Sequence, residues 1–140
     1  MTDLYKDVIT IYNDIAADSV NPRRFFRHVL QKCNIQSGYI ESTAENTIQA
    51  ISNGLTVITK DVALYCTPSV YLELPEDEKE NYYTVQIDDF VIFGEVDDIV
   101  TTSREFQNLQ DKYKGRGFSV SSTNAHIYGM ATDNVSISHS

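Results

Sequence analysis

The sequence predicts a mainly β protein with one short α-helix, folded as a small β-barrel or sandwich of six to seven strands. Short segments rich in Val, Ile, Tyr and Phe recur along the chain, and several alternate apolar and polar residues as half-buried strands do. One segment late in the chain combines helix-capping residues with apolar residues at helical spacing. At 140 residues, with no internal repeat and no Ser/Gly-rich linker, the chain fits a single domain over residues 1–140.

The first predicted elements are two strands. Residues 8–12 (VITIY) are β-branched and aromatic, which is typical of a strand. Asn21 and Pro22 then interrupt the pattern. Residues 24–33 (RFFRHVLQKC) fit a strand or a short helix, and the alternation of their side chains favours the strand.

Residues 36–60 admit several interpretations. Residues 42–45 (STAE) form a capping box, and Gly54 would end the helix that follows it. The pair Asn53-Gly54 is also the best short hairpin signal in the chain. A mobile stretch that becomes ordered on assembly would satisfy both patterns, so helix, hairpin and disorder stay open for residues 42–54.

The second half continues with strands joined by polar connections. Residues 61–68 (DVALYCTP) alternate and predict a strand, and residues 75–81 (PEDEKEN) predict a charged connection. The segments 82–87 and 90–94 predict two strands with a tight turn at 87–89. The segments 118–123 and 134–138 predict the closing strands.

The single predicted helix begins at residues 102–105. Thr102 and Glu105 form a capping box, and Phe106, Leu109 and Tyr113 recur at helical spacing on one face. Gly115 ends the helix.

Composition excludes several classes of function. Twenty acidic and eleven basic residues leave a net charge of -9, whereas a nucleic-acid-gripping surface needs a basic footprint. No apolar segment approaches the roughly 20 residues that span a bilayer. Cys33 and Cys66 belong to no CxxC motif, which favours two buried thiols in a reducing compartment. We therefore expect no specific nucleic-acid binding and no membrane association.

No motif carries catalytic or cofactor chemistry. His28, His126 and His139 have no Cys or His partner at metal-ligand spacing; His126 lies in a turn-like segment, and His139 is near the end of the chain. The glycines at 115 and 117 follow a helix instead of opening one, so they do not form a phosphate cradle. The sequence therefore predicts a non-enzymatic protein without cofactor or metal.

The strongest asymmetry along the chain is acidic. Residues 73–111 hold twelve acids and two bases, and the rest of the chain is close to neutral. The paired acids at 88–89 and 97–98 lie in no calcium-binding loop. We hypothesise an acidic surface with a basic patch elsewhere, since two oppositely charged faces suit head-to-tail contacts. The acidic candidates are Asp88, Asp89, Glu95, Asp97 and Asp98, and the basic candidates for a subunit contact are Arg23, Arg24 and Arg27.

Residues 61–140 resemble a known family. The segment 82–96 (YYTVQIDDFVIFGEV) is similar to an aromatic-Thr-Val-Gln strand that leads into a Gly-Asp-aromatic-Ile-Val-x-Gly strand. Residues 101–129 look like the following helix and strand of that pattern, and residues 61–68 look like its earlier strand. The family is the minor capsid or head-completion group of tailed phages, including head-closure and connector proteins. This sequence departs from it at Asp88, where the family usually has Gly, and in having no Trp.

The resemblance implies a structural role. Such proteins form a ring of identical subunits between the portal and the tail, so the implied partners are portal or adaptor proteins and tail proteins. The implied location is the virion, assembled in the host cytoplasm. Residues 36–60 and 75–81 would then be assembly elements, and the acidic residues would line a channel past which packaged DNA slides.

A second interpretation is an acidic protein that mimics nucleic acid and inhibits a host DNA-binding protein. Its small size and acidic charge fit this class. Residues 1–72 carry seven acids and six bases, however, and this near balance counts against a mimic.

Overall fold

The computed structural model describes residues 5–42 and 49–139, and for residues 37–42 and 49–55 it describes the backbone alone. The elements in chain order are β1 (Asp7–Ile15), β2 (Arg24–Ser42), β3 (Gln49–Thr59), α1 (Pro68–Glu73), α2 (Glu76–Lys79), β4 (Phe90–Phe93), α3 (Ser103–Lys112), β5 (Gly117–Ser119), β6 (Ser122–His126) and β7 (Asn134–His139). The seven strands form one antiparallel sheet in the order β5-β4-β1-β2-β3-β7-β6. The mainly β class is confirmed. The strands form a single sheet that is not closed into a barrel, so the barrel or sandwich prediction was too specific, and the described residues contain three short helices where one was predicted.

Strand β1 is an interior strand, between β4 and β2, and is buried on both faces. Ile9 and Ile11 belong to the larger core, which draws side chains from most of the strands. Tyr12 belongs to a second core, which residues 94–101 and α3 cover with Val96, Val100 and two helical residues. This double burial explains why the apolar residues of β1 do not simply alternate with exposed ones.

The sheet curls so that its two ends approach each other. Phe118 of β5 and Ile137 of β7 share the larger core. The backbone N–H of Ser121 donates to the carbonyl oxygen of Ser138 at 2.8 Å. The contact runs through the short connection between β5 and β6, and strands β5 and β6 are not paired with each other in the described sheet.

Several predicted elements are confirmed. The segments 8–12, 24–33, 90–94 and 134–138 lie in β1, β2, β4 and β7. In α3, Oγ1 of Thr102 accepts from the backbone N–H of Glu105 at 3.1 Å, and the Glu105 carboxylate accepts from the N–H of Thr102 at 3.2 Å. The side chain of Phe106 lies on the buried face of this helix, as the helical spacing of the apolar residues predicts. The capping box and the apolar stripe were therefore reliable signals.

Four predicted segments differ from the structure. Residues 61–68 form no strand, because a turn precedes an isolated bridge from Tyr65 to Tyr83 and Pro68 begins α1, where proline is favoured. Residues 82–87 share that bridge instead of forming a strand. The connection 75–81 contains α2. Its Lys79 is only 2% exposed, and the buried ammonium donates to the carbonyl oxygens of Leu72 in α1 and of Leu74, the C-cap of α1. The predicted strand 118–123 divides into β5 and β6.

Strands β2 and β3 form a long hairpin, which decides between helix, hairpin and disorder for the described part of residues 42–54. Ile40 lies opposite Ile51 in this pairing, and residues 53 and 54 lie inside β3 instead of at a turn. The helix interpretation is wrong for residues 49–54, and most of the predicted capping box lies outside the described residues. In the described part of the chain, residues 37–42 and 49–54 pair only within the β2–β3 hairpin and with no other strand. We call these two segments the ribbon.

Candidate functional site

Asp89 does not belong to an exposed acidic surface. Its side chain is fully buried and accepts hydrogen bonds from Nδ2 of Asn13 at 2.8 Å and from the backbone N–H groups of Asp14 and Gln86, both at 2.9 Å. Burial raises the pKa of Asp89 to about 7, and these hydrogen bonds oppose the rise. The carboxylate therefore links β1 to the turn that precedes β4, which is a structural role.

Asp88, the neighbouring acid, is exposed and has a φ of 77°. This left-handed conformation favours Gly, Asn and Asp. The N–H of Asp89 donates to the carbonyl oxygen of Gln86 at 3.1 Å and closes the turn that the sequence predicts at 87–89. Asp88 and the exposed Glu95 are thus free to face a partner or solvent.

Asp97 and Asp98 are engaged by basic and phenolic groups. Nη2 of Arg27 lies 3.2 Å from Oδ1 of Asp97, whose side chain is 94% exposed. The Asp98 carboxylate accepts from Nζ of Lys112 at 2.8 Å and from the hydroxyl of Tyr113 at 2.7 Å. These two bonds hold the pKa of Asp98 below its ordinary value.

The other candidate arginines are also paired with acids. Nη2 of Arg23 lies 2.6 Å from Oδ2 of Asp14, and Nη2 of Arg24 lies 2.6 Å from Oε1 of Glu76. Arg23 also lines the same surface pocket as Asp88. Between the two candidate sets the fold thus makes one ion pair, Arg27 with Asp97, whereas Arg23 and Arg24 pair with acids outside the acidic set. The acidic face and the basic patch stay a prediction.

A second surface carries almost no charge, and the reading of the sequence missed it. Asp133 is the only Asp, Glu, Lys or Arg between residues 117 and 140, and Glu41 and Glu45 are the only ones between 33 and 59. The fold places β3, β7 and β6 side by side, so these uncharged runs form one continuous side of the sheet. Its polar groups are hydroxyls and amides, as in the contact at 3.2 Å between Oγ1 of Thr56 and Oγ of Ser138. The long uncharged runs were the sequence signal for this surface.

An apolar groove lies at the end of this uncharged surface. Its lining residues are Tyr65, Cys66, Val70, Ala125, Ile127 and Tyr128. Tyr128 is 75% exposed and Val70 is 52% exposed, and the nearby Met130 is 63% exposed. Exposed apolar side chains that cluster in this way mark interaction sites.

The three histidines lie apart and form no metal-binding cluster among the described residues. His28 is half-buried and stacks on Tyr83 with ring centroids 5.0 Å apart, and burial lowers its pKa. His126 lies in β6 and not in a turn, and Nδ1 of His139 lies 2.7 Å from the carbonyl oxygen of Ser119. No group of three His, Cys, Asp or Glu side chains that could hold a metal ion occurs within residues 5–42 and 49–139. No described helix is long and apolar enough to cross a bilayer.

Comparison with known proteins identifies one family. A search of curated proteins gives no match, and a search of solved structures gives none either. The model of a family of unknown function, DUF6751, matches residues 4–139, which is almost the entire chain. This chain therefore belongs to the DUF6751 family.

Proposed function

We propose that this chain is a non-enzymatic structural subunit of the head–tail junction of a tailed phage, where identical copies form a ring between portal and tail. The observation that carries the proposal is the ribbon. Its strands are the parts of β2 and β3 that extend past the other strands, and they pair only within the β2–β3 hairpin in the described chain. A two-stranded ribbon is marginally stable alone in water, so contact with a neighbouring chain would stabilise it.

The turn before β4 gives further support. The resemblance of residues 82–96 to head-completion proteins places Gly at the position of Asp88, and Asp88 has the left-handed φ that favours Gly. The departure from the family pattern therefore retains the backbone conformation that the pattern requires.

The acidic residues fit a channel only in part. Asp89 is buried and Asp98 is bonded to Lys112 and Tyr113, so we propose Asp88, Glu95 and Asp97 as the residues that face packaged DNA. Like charge would keep DNA from adhering as it passes. The triple variant Asp88→Asn, Glu95→Gln, Asp97→Asn should slow DNA ejection and leave particle assembly intact. Unchanged ejection would exclude this role.

The test of the proposed function locates the chain in the particle. The chain carries an epitope tag in its native genome, and purified particles are examined by immunogold electron microscopy. We expect label at the junction of head and tail, and co-purification of portal, adaptor and tail proteins after mild cross-linking. Particles without the tagged chain, or label spread along the tail or capsid, would contradict the proposal.

The net charge of -9 also favours a second candidate, an acidic inhibitor of a host DNA-binding protein. The carboxylates of Asp14 and Glu76 count against it, because they are paired with Arg23 and Arg24 and a mimic needs carboxylates free to bind the partner. Competition with DNA for basic proteins at moderate salt separates the two. A mimic displaces the DNA, whereas a junction subunit leaves it bound.

A further inference from the structure

Strand β6 is an exposed sheet edge without the usual protection. It is the last strand on its side of the described sheet, and it pairs with β7 over five residues without a register shift. Edge strands are normally protected by Lys, Pro or a bulge, because their free N–H and C=O groups can pair with another strand. The sequence of β6, STNAH, has neither Lys nor Pro. This edge is therefore open to an added strand.

The apolar groove continues from this edge. Ala125 belongs to β6, and Ile127 and Tyr128 follow it directly. On the opposite wall, Cys66 and Val70 come from the segment that leads into α1 and from α1 itself. An extended segment that pairs with β6 would thus find a pocket for apolar side chains at the end of the strand.

The ribbon has the properties of the missing partner. Each of its two strands has one edge that pairs with nothing else in the described chain. Its sequence, SGYIES and QAISNG, contains the apolar residues Tyr39, Ile40 and Ile51 and only one charged residue, Glu41. Backbone pairing supplies affinity, and apolar residues supply specificity, in this mode of recognition.

Charge limits where two copies of this chain can meet. Each copy carries a net charge of -9, so contact between two acidic surfaces is repulsive. The ribbon has one acid, Glu41, and the β6 edge with its groove has one acid nearby, Asp133, whose carboxylate accepts from the N–H groups of Tyr128 and Gly129. Contact between these two surfaces therefore brings few carboxylates together.

We propose that the β6 edge and the apolar groove bind the ribbon of a second copy of this chain. The contact joins two different surfaces, so it is heterologous and repeats from copy to copy to give a ring or a filament. This contact would join neighbouring subunits of the proposed ring, and in that respect the inference rests on the proposed function.

Disulfide trapping between two kinds of copy tests the contact. One copy carries Ser52→Cys with Cys66→Ser, and the other is the tagged native chain, whose Cys66 lines the groove. Cys33 remains in both, because it is buried and its pKa is raised to about 11. After mild oxidation of the mixture we expect a disulfide-linked mixed dimer, and its loss when both copies carry Cys66→Ser. Ser37→Cys repeats the test on the other strand of the ribbon.

Two matched variants make the result specific. Asn108→Cys places a thiol on the exposed surface of α3 and should give no mixed dimer with Cys66. Tyr128→Asp in the groove should abolish the Ser52→Cys cross-link, whereas Ile99→Asp, at a residue that is 82% exposed beside α3, should leave it unchanged. Thermal unfolding establishes that both aspartate variants are folded. Absence of the mixed dimer for both ribbon positions, or an equal yield from Asn108→Cys, would overturn the inference.

The outcomes of this test and of the immunogold test are independent. Label at the junction without a ribbon cross-link leaves the proposed function and removes this contact. A cross-link without junction label establishes the contact in a self-assembling protein of another kind.

Discussion

Arg27 and Asp97 lie 70 positions apart in the sequence, yet Nη2 of Arg27 is 3.2 Å from Oδ1 of Asp97. The same guanidinium donates through Nε to the carbonyl oxygen of Val96. Arg27 lies near the start of β2, and it therefore holds residues 96 and 97, which follow β4, against that strand. A count of charges along the sequence assigns these two residues to different regions, whereas the fold makes them neighbours.

Asp89 should give the protein an unusual dependence of stability on pH. The folded-state pKa is raised from 3.8 to about 7, so the folded protein holds this proton more tightly than the unfolded chain. The stabilising contribution is complete below the unfolded-state pKa and is lost as the pH rises through about 7. Relative to Asp89→Asn, we expect the native chain to lose roughly 2 kcal/mol of unfolding free energy between about pH 5 and pH 7.

Urea unfolding of the two proteins at several pH values measures this difference. The pH dependence of the other titrating groups is common to both proteins and cancels in the comparison. Parallel curves would mean that Asn13 and the two backbone N–H groups keep Asp89 ionised across the whole range.

Ile11 should be among the most sensitive positions of the core. It is fully buried at the centre of β1, so Ile11→Ala leaves a cavity and should lower the unfolding free energy by about 2–5 kcal/mol. Ile99→Ala is the matched control, since Ile99 is 82% exposed and its loss should change stability by less than about 0.5 kcal/mol. Chemical denaturation monitored by circular dichroism compares them, and similar losses would contradict the assignment of the core.

The cap of α3 should contribute measurably to stability. Thr102→Ala removes the hydroxyl that accepts from the N–H of Glu105 and should cost about 1 kcal/mol. Thr102→Ser retains the hydroxyl and should restore most of the loss. If both variants are equally destabilised, the methyl group of Thr102 and not its hydroxyl is the stabilising group.

Two glycines near β5 should respond differently to the same change. A Cβ on Gly117 would lie 2.5 Å from the carbonyl oxygen of Val91 and 3.0 Å from the Phe90 ring, so Gly117→Ala should destabilise by about 1–3 kcal/mol. A Cβ on Gly115 meets no atom within 4 Å. Gly115→Ala should therefore be tolerated in thermal unfolding. An equal shift in the melting temperature of both variants would refute the close approach of β5 to β4.

Self-association through the ribbon should strengthen as salt rises. The proposed contact contains few charged residues, while each whole copy carries a net charge of -9. At 0.1 M salt the Debye length is about 10 Å, so added salt screens the repulsion between copies and leaves the contact itself intact. Sedimentation velocity at increasing NaCl measures the shift, and dissociation by salt would indicate a contact held by ion pairs.

Local sequence patterns predicted the elements that are specified by residues close together in the sequence, such as a helix cap or a run of β-branched residues. The box of Thr102 and Glu105 marked the start of α3, and the β-branched run 8–12 marked β1. The strand predicted for residues 61–68 was wrong because alternating apolar and polar residues are typical of a half-buried strand, but a strand also needs a neighbouring strand with which to pair. Tyr65 makes one bridge, to Tyr83, and the backbone then turns into α1 at Pro68.

The candidate site was less predictable, because charge in sequence carries no information on burial or pairing. Asp88 and Asp89 are adjacent acids, yet one is exposed and the other is enclosed by N–H donors. Two of the three donors to Asp89 come from β1, 76 and 75 positions earlier. The uncharged surface was readable as long runs without Asp, Glu, Lys or Arg, but it became one surface only through the adjacency of β3, β7 and β6.

The path from β4 to β5 has a consequence for how this family can vary. These strands are neighbours, and the N–H of Phe93 donates to the carbonyl oxygen of Arg116 at 2.7 Å, so residues 94–116 leave the sheet and return beside their point of departure. An excursion of this kind is equivalent to a long insertion within a β-hairpin. We expect homologues to lengthen, shorten or replace it without any change in strand order. The one constraint is that the replacement still covers Tyr12 and Ile92.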